Sequence, residues 1–154
     1  MIDIIEKVDS LPFKQFYKYY YQACKNKQHA SEVIAISSYA KNKNEVNSRF
    51  VNLKHINKTE LIFFSNYESE KAHEFLSHPQ ISALLFWDSI DVQIRMKGEI
   101  KKTNNEYNQK YFFARSEKKN ALAISSKQSN PISSYSQVKE NYNKSLRNDD
   151  LKKC

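Results

Sequence analysis

The sequence predicts an α+β fold, in which a mostly antiparallel sheet or barrel carries flanking helices. Apolar periodicity switches between helical and strand spacing in the order helix, three strands, helix, two strands, helices. The strands follow one another too closely for repeated crossover helices, which favours antiparallel pairing. A chain of 154 residues, 40% hydrophobic and 13% aromatic, is expected to close one domain, 1–154, around one core.

Residues 1–10 hold Asp3, Glu6, Lys7 and Asp9, leave no apolar run of signal-peptide length, and read as an N-terminal tail. From Leu11 to Lys27, Phe13, Phe16, Tyr17, Tyr20 and Cys24 recur at steps of three and four, the spacing of an amphipathic helix, with Pro12 in its first turn. Cys24 lies on that apolar stripe, so packing is its expected role. Val33–Ile36 is a branched apolar run that reads as a strand, and Lys41–Glu45 is a polar turn. In the next strand, Val46–Lys54, regular alternation puts Arg49, Val51 and Leu53 on one face and Phe50, Asn52 and Lys54 on the other. Leu61–Phe64 gives a third strand.

Ser69 is placed to cap a short helix carrying Ala72, His73, Phe75 and Leu76 that ends before Pro79. Ile81–Trp87 and Val92–Met96 are strands joined by a short polar turn, the second continuing past Gly98 and offering Gln93, Arg95 and Lys97 on its polar face. Asn105–Arg115 and Lys118–Ser126 are helical by period, and 133–154 reads as a polar helix and tail with few core anchors.

Composition removes whole classes of site. With Gly98 the only glycine, no glycine-rich phosphate loop can form, so a bound phosphate must be met largely by side chains. Lys and Arg outnumber Asp and Glu by 25 to 17, a net charge of +8 that favours anionic partners while much of the lysine remains solvated surface. Cys24 and Cys154 form neither a metal spacing nor a disulfide framework, and His29, His55, His73 and His78 show no metal or triad spacing. No metal and no membrane span are expected, and a reducing cytoplasm is the simplest compartment. A nucleic-acid module stacking bases on aromatics is disfavoured, because Phe63, Phe64 and Trp87 sit in apolar runs that look like core.

Read alone, an arginine followed by a lysine along a strand is ordinary surface charge, but several segments in order carry more. Arg49-Phe50-Val51-Asn52-Leu53-Lys54 resembles the flavin-phosphate strand of the pyridoxamine 5′-phosphate oxidase family, with Asn52 in place of a leucine. Phe64-Ser65-Asn66, leading to Ser69-Glu70-Lys71-Ala72, is similar to the family's next flavin segment, with Glu70 where an arginine belongs. Gln93 matches a glutamine that reaches the flavin ring. Tyr111 and Arg115 resemble the substrate-phosphate pair, Gln128-Ser129 a second flavin contact, and Lys119 replaces a substrate-binding serine.

This resemblance, from Pro12 to about Lys152, implies an FMN-binding split β-barrel. It implies cofactor contacts from Arg49, Phe50, Val51, Asn52, Leu53, Lys54, Phe64, Ser65, Lys71, Gln93, Gln128 and Ser129, and substrate contacts from Lys54, Tyr111 and Arg115. The implied reaction is oxidation of pyridoxamine or pyridoxine 5′-phosphate to pyridoxal 5′-phosphate with oxygen as acceptor, a step of pyridoxine biosynthesis. Because the flavin performs the redox step, no catalytic side chain is called for. The implied assembly is a homodimer with FMN at the interface. The family's terminal tryptophan-glycine-glycine segment is absent before Cys154 and its basic N-terminal segment is not recognisable, so the alternative is a split-barrel flavoprotein with another substrate or without this activity.

Overall fold

The amphipathic pattern that begins at Leu11 produces α1 (Leu11–Lys25), which buries Phe16, Tyr17, Tyr20 and Ala23 and leaves Cys24 half-buried. In this computed structural model residues 1–125 and 131–147 are described, so the Gln128-Ser129 pair lies outside the described residues. The chain divides into two compact units, Met1–Ser65 with Glu74–Ile100, and Asn66–His73 with Lys101–Cys154.

The first unit is built on a six-stranded sheet of β1 (Asp3–Glu6), β2 (Val33–Ala40), β3 (Glu45–Asn57), β4 (Glu60–Phe63), β5 (Gln80–Trp87) and β6 (Val92–Glu99). Its order is β1-β3-β2-β5-β6, with β4 also on β3, and every pairing is antiparallel except the parallel β1–β3. The α+β, mostly antiparallel expectation is borne out.

Residues 1–10 are a correction, since they hold β1 and are not simply a tail. The short, charged segment gave no period to read; backbone pairing to His55 and Ile56 and burial of Ile2 fix it instead. The β2–β3 hairpin turns through Asn44, whose left-handed backbone asparagine tolerates well and whose amide oxygen accepts from the Tyr39 hydroxyl at 2.7 Å.

The regular alternation expected for Val46–Lys54 holds only as far as Leu53. Between Leu53 and His55 the β3–β4 register shifts, the mark of a β-bulge, and the buried positions change from Val51 and Leu53 to Ile56. At the same point β3 changes partner, from β2 up to Asn52 to β4 and β1 beyond it.

Trp87, 1% exposed, anchors the core of this unit. Its indole N–H donates to the Ser31 carbonyl at 3.0 Å, and its ring meets Phe16 edge-on at 5.7 Å and Tyr20 at 6.0 Å. The Tyr20 hydroxyl accepts from the Ile2 N–H at 2.6 Å, and burial pushes its pKa up to about 12. Burial of side chains such as Leu53, Ile56 and Leu85 contributes about 1.5–3 kcal/mol each relative to exposure.

The opposite face of the sheet is apolar at its centre and open to solvent within the single chain. Phe50 pairs across Ala35, which in turn pairs with Leu84, while Phe86 lies opposite Gln93. Phe50 is 77% and Phe86 57% exposed.

The helix α2 (Glu70–Ser77) ends before Pro79 as expected, the His78 N–H closing on the Glu74 carbonyl. The Ser69 hydroxyl donates to the Asn66 carbonyl at 2.6 Å, so it ties the preceding turn; its backbone carbonyl accepts from Ala72 and His73. The second unit holds α3 (Asn105–Ala114), α4 (Glu117–Ser125) and α5 (Tyr135–Leu146), with Asn104 and Ser134 capping through side-chain oxygens. Ala121 is fully buried there, and the Asn120 amide donates to the Phe112 carbonyl at 3.0 Å.

Candidate functional site

Arg49 sits on β3 opposite Ile36 of β2, on the face that carries the core. One terminal nitrogen of its guanidinium donates to the Ser38 hydroxyl and the other to Glu74 Oε2 at 2.7 Å. The Ser38 hydroxyl donates to the same carboxylate oxygen, and the Asn47 amide donates to Glu74 Oε1 at 2.8 Å. The Glu74 side chain is 4% exposed and that of Arg49 23%, so the guanidinium spans from a buried acid to the surface. Burial pushes the Glu74 carboxyl up, but hydrogen bonds from Ser38, Arg49 and Asn47, with the Arg49 charge, outweigh it and hold the pKa below the ordinary range.

Ser38, Asn47 and Glu74 escaped the sequence reading. One signal was present: Ser38 is the polar member of an otherwise apolar face, Ile34, Ile36 and Ala40, and a buried hydroxyl on such a face requires a partner. Glu74 gave none, because an acid in a short helix ordinarily points to water.

The bulge removes the regular two-face geometry that set Lys54 opposite Arg49. Lys54 is half-buried, and its charge acts on the neighbouring Glu32 and His55. Burial pushes the His55 pKa down, Asp3 opposes this, and Lys54 adds to the fall. Glu32 also pairs with the terminal amine of Met1 at 3.2 Å. On the same strand Phe50 and Asn52 are exposed, and Val51 and Leu53 are buried, so only backbone of the latter two can face a ligand.

Phe64 and Ser65 follow β4, with the Phe64 ring against His55 at 5.8 Å. The Ser65 hydroxyl is buried and has no hydrogen-bond partner among the described residues. A buried hydroxyl in that state costs about 1–3 kcal/mol unless a ligand or water satisfies it. Gln93 is exposed on β6 beside Arg95. Each of these first-unit groups, the part-exposed Arg49, the half-buried Lys54 and the Ser65 hydroxyl without a partner among the described residues, is of a type that can meet an anionic oxygen.

In the second unit, Lys71 is buried, unlike the surface lysines, and Glu70 is exposed. Tyr111 and Arg115 lie one helical turn apart at the end of α3, both half-buried. Burial pushes the Tyr111 phenol up and the Arg115 charge draws it back, so the two side chains feel one another electrostatically. Arg115 donates to the Lys119 carbonyl at 2.8 Å and lies over the Phe112 ring. Among the described residues, no cluster of His, Cys, Asp and Glu could hold a metal ion, and no helix is long and apolar enough to cross a membrane.

The family profile described as pyridoxamine 5′-phosphate oxidase matches residues 21–143. A pyridoxine/pyridoxamine 5′-phosphate oxidase of Paraburkholderia phytofirmans is 31% identical over 87% of this chain and 62% of its own length. One from a Ruegeria species is 41% identical over 58% of this chain and 45% of its own. The chain therefore spans less than two thirds of the length of these curated relatives. Among solved structures, PhzG of Burkholderia lata, in complex with tetrahydrophenazine-1-carboxylic acid, matches with a TM-score of 0.83 at 21% identity, over 88% of this chain and 66% of that one. A pyridoxamine 5′-phosphate oxidase-related, FMN-binding protein of Nostoc punctiforme matches with a TM-score of 0.66 at 12% identity, over 86% of this chain and 73% of that one. The fold is thus the one shared by these proteins. With the profile match covering most of the sequence, the chain belongs to the pyridoxamine 5′-phosphate oxidase family.

Proposed function

We propose that this chain binds FMN and oxidises pyridoxamine or pyridoxine 5′-phosphate to pyridoxal 5′-phosphate, with oxygen as the final acceptor, in the cytoplasm. The family match over residues 21–143 carries the reading. The donor types suit the cofactor's phosphate: Arg49 offers a part-exposed guanidinium, Lys54 supplies a compact charge, and the buried Ser65 hydroxyl lacks a partner among the described residues.

In this reading Arg49, Lys54, Ser65 and Lys71 hold the flavin phosphate. The backbone of Phe50, Val51, Asn52, Leu53 and Phe64 lines the cofactor, and Gln93 reaches the flavin ring. Gln128 and Ser129 complete the cofactor set, outside the described residues. Tyr111 and Arg115, with Lys54, hold the substrate phosphate. Bound FMN supplies the hydride acceptor, which oxygen then regenerates with release of hydrogen peroxide. The protein's own task is to fix the substrate carbon against the ring and limit water access.

A homodimer belongs to the same reading. The open apolar centre of the sheet, Phe50, Leu84 and Phe86 beside Gln93 and Arg95, supports a second copy covering that face. A second reading keeps the barrel and FMN but changes the substrate, and the likeness to PhzG, solved with a phenazine compound, favours it.

The test is to purify the protein, record its visible spectrum with added FMN, then supply pyridoxamine 5′-phosphate in air. A flavin spectrum with aldehyde and peroxide formation is expected. Flavin uptake without turnover selects the second reading, and a protein that never takes up FMN overturns both.

A further inference from the structure

The geometry points to Glu74 as a resident counter-ion that competes with the incoming phosphate for Arg49, so that this chain holds its flavin loosely and exchangeably. The inference rests on the FMN reading above. An arginine set to receive a dianion ordinarily offers an unbalanced charge, whereas here the guanidinium already faces a carboxylate at 2.7 Å that is almost fully buried. Three donors converge on that carboxylate, from Ser38, Asn47 and Arg49, and hold it ionised.

If the acid turned away, the buried Ser38 hydroxyl would lose the acceptor of its proton and the Asn47 amide would lose its carboxylate partner, and both losses hold Glu74 in place. A phosphate binding the part-exposed Arg49 therefore meets a guanidinium that already faces a fixed negative charge. Poorly screened by solvent, that repulsion persists in the bound state. The same contacts also orient the fork, so charge and positioning must be separated experimentally.

Glu74→Gln does this, because the carbonyl of Gln can still accept from Arg49 and Ser38, and its NH2 can face an Asn47 amide turned to present oxygen. Wild type and variant are titrated with FMN and with riboflavin, which lacks the phosphate, by quenching of flavin fluorescence, with circular dichroism to establish folding. The variant is expected to bind FMN about tenfold more tightly and riboflavin unchanged. Asn47→Asp, which adds a charge to the same cluster, is expected to loosen FMN alone, and it decides the matter should Glu74→Gln not fold.

FMN affinity unchanged or weakened in Glu74→Gln, or unaffected by Asn47→Asp, overturns the counter-ion role while leaving the flavin reading intact. Equal tightening of riboflavin also overturns it, since the effect would not run through the phosphate. Failure of every protein to bind FMN overturns both this inference and the reading beneath it.

Discussion

Replacing Glu74 with alanine removes the acceptor on which Ser38, Asn47 and Arg49 converge. Removing one partner of a buried ion pair costs about 3–5 kcal/mol because the other charge is left stranded. Arg49 is 23% exposed and keeps its contact with Ser38, so it can recover part of its hydration and the lower end applies. The loss is then about 3 kcal/mol, with the Ser38 hydroxyl, 2% exposed, contributing to it. In a chain of this size that lowers Tm by roughly 10 °C. Urea unfolding followed by far-UV circular dichroism, at constant slope, measures the difference.

Acidification gives an independent sign. The folded pKa of Glu74 lies below its ordinary value of 4.5, so its stabilisation is complete above that value and is lost as pH falls through the folded one. Glu74→Gln should lack this component of acid sensitivity. A loss under about 1 kcal/mol in Glu74→Ala, or identical acid profiles in wild type and Glu74→Gln, would refute the claim that the buried pair shapes this unit.

Trp87→Phe removes the hydrogen bond to the Ser31 carbonyl and part of the ring packed on Phe16 and Tyr20, and should cost about 2–3 kcal/mol in the same urea assay. Phe50→Lys, at a position 77% exposed within one chain, should leave the unfolding free energy within about 0.5 kcal/mol of wild type extrapolated to the monomer. If a second copy covers that face, sedimentation velocity should show the variant shifted from dimer to monomer; an unchanged dimer would put the interface elsewhere.

Legibility in the sequence tracked how local the cause was. The helix from Leu11 and the strand from Ile81 to Trp87 could be read because their periods lie in contiguous residues. β1 could not, since its order comes from backbone bonds to a strand some fifty positions away. The bulge after Leu53 was equally hidden: Lys54 and His55 carry no glycine or proline to announce it, and it is defined by pairing with β4. At the site, Arg49, Lys54 and Ser65 were named by likeness to a family pattern. Glu74, which modifies what Arg49 can do, was invisible because its burial is created by β2 and β3 together.

The bulge has a consequence for how β3 can change. A strand that passes from one set of neighbours to another at a single extra residue works like a phase shifter: positions before and after it keep separate odd-even rules. Substitutions on either side are independent, and a one-residue deletion at Lys54 would remove the extra residue, set Leu53 and Ile56 two positions apart on one face as in a regular strand, and abolish the bulge without unburying either side chain. What the extra position secures is therefore the local bend of β3 and not the burial of its neighbours, and Lys54 is the side chain that this bend presents.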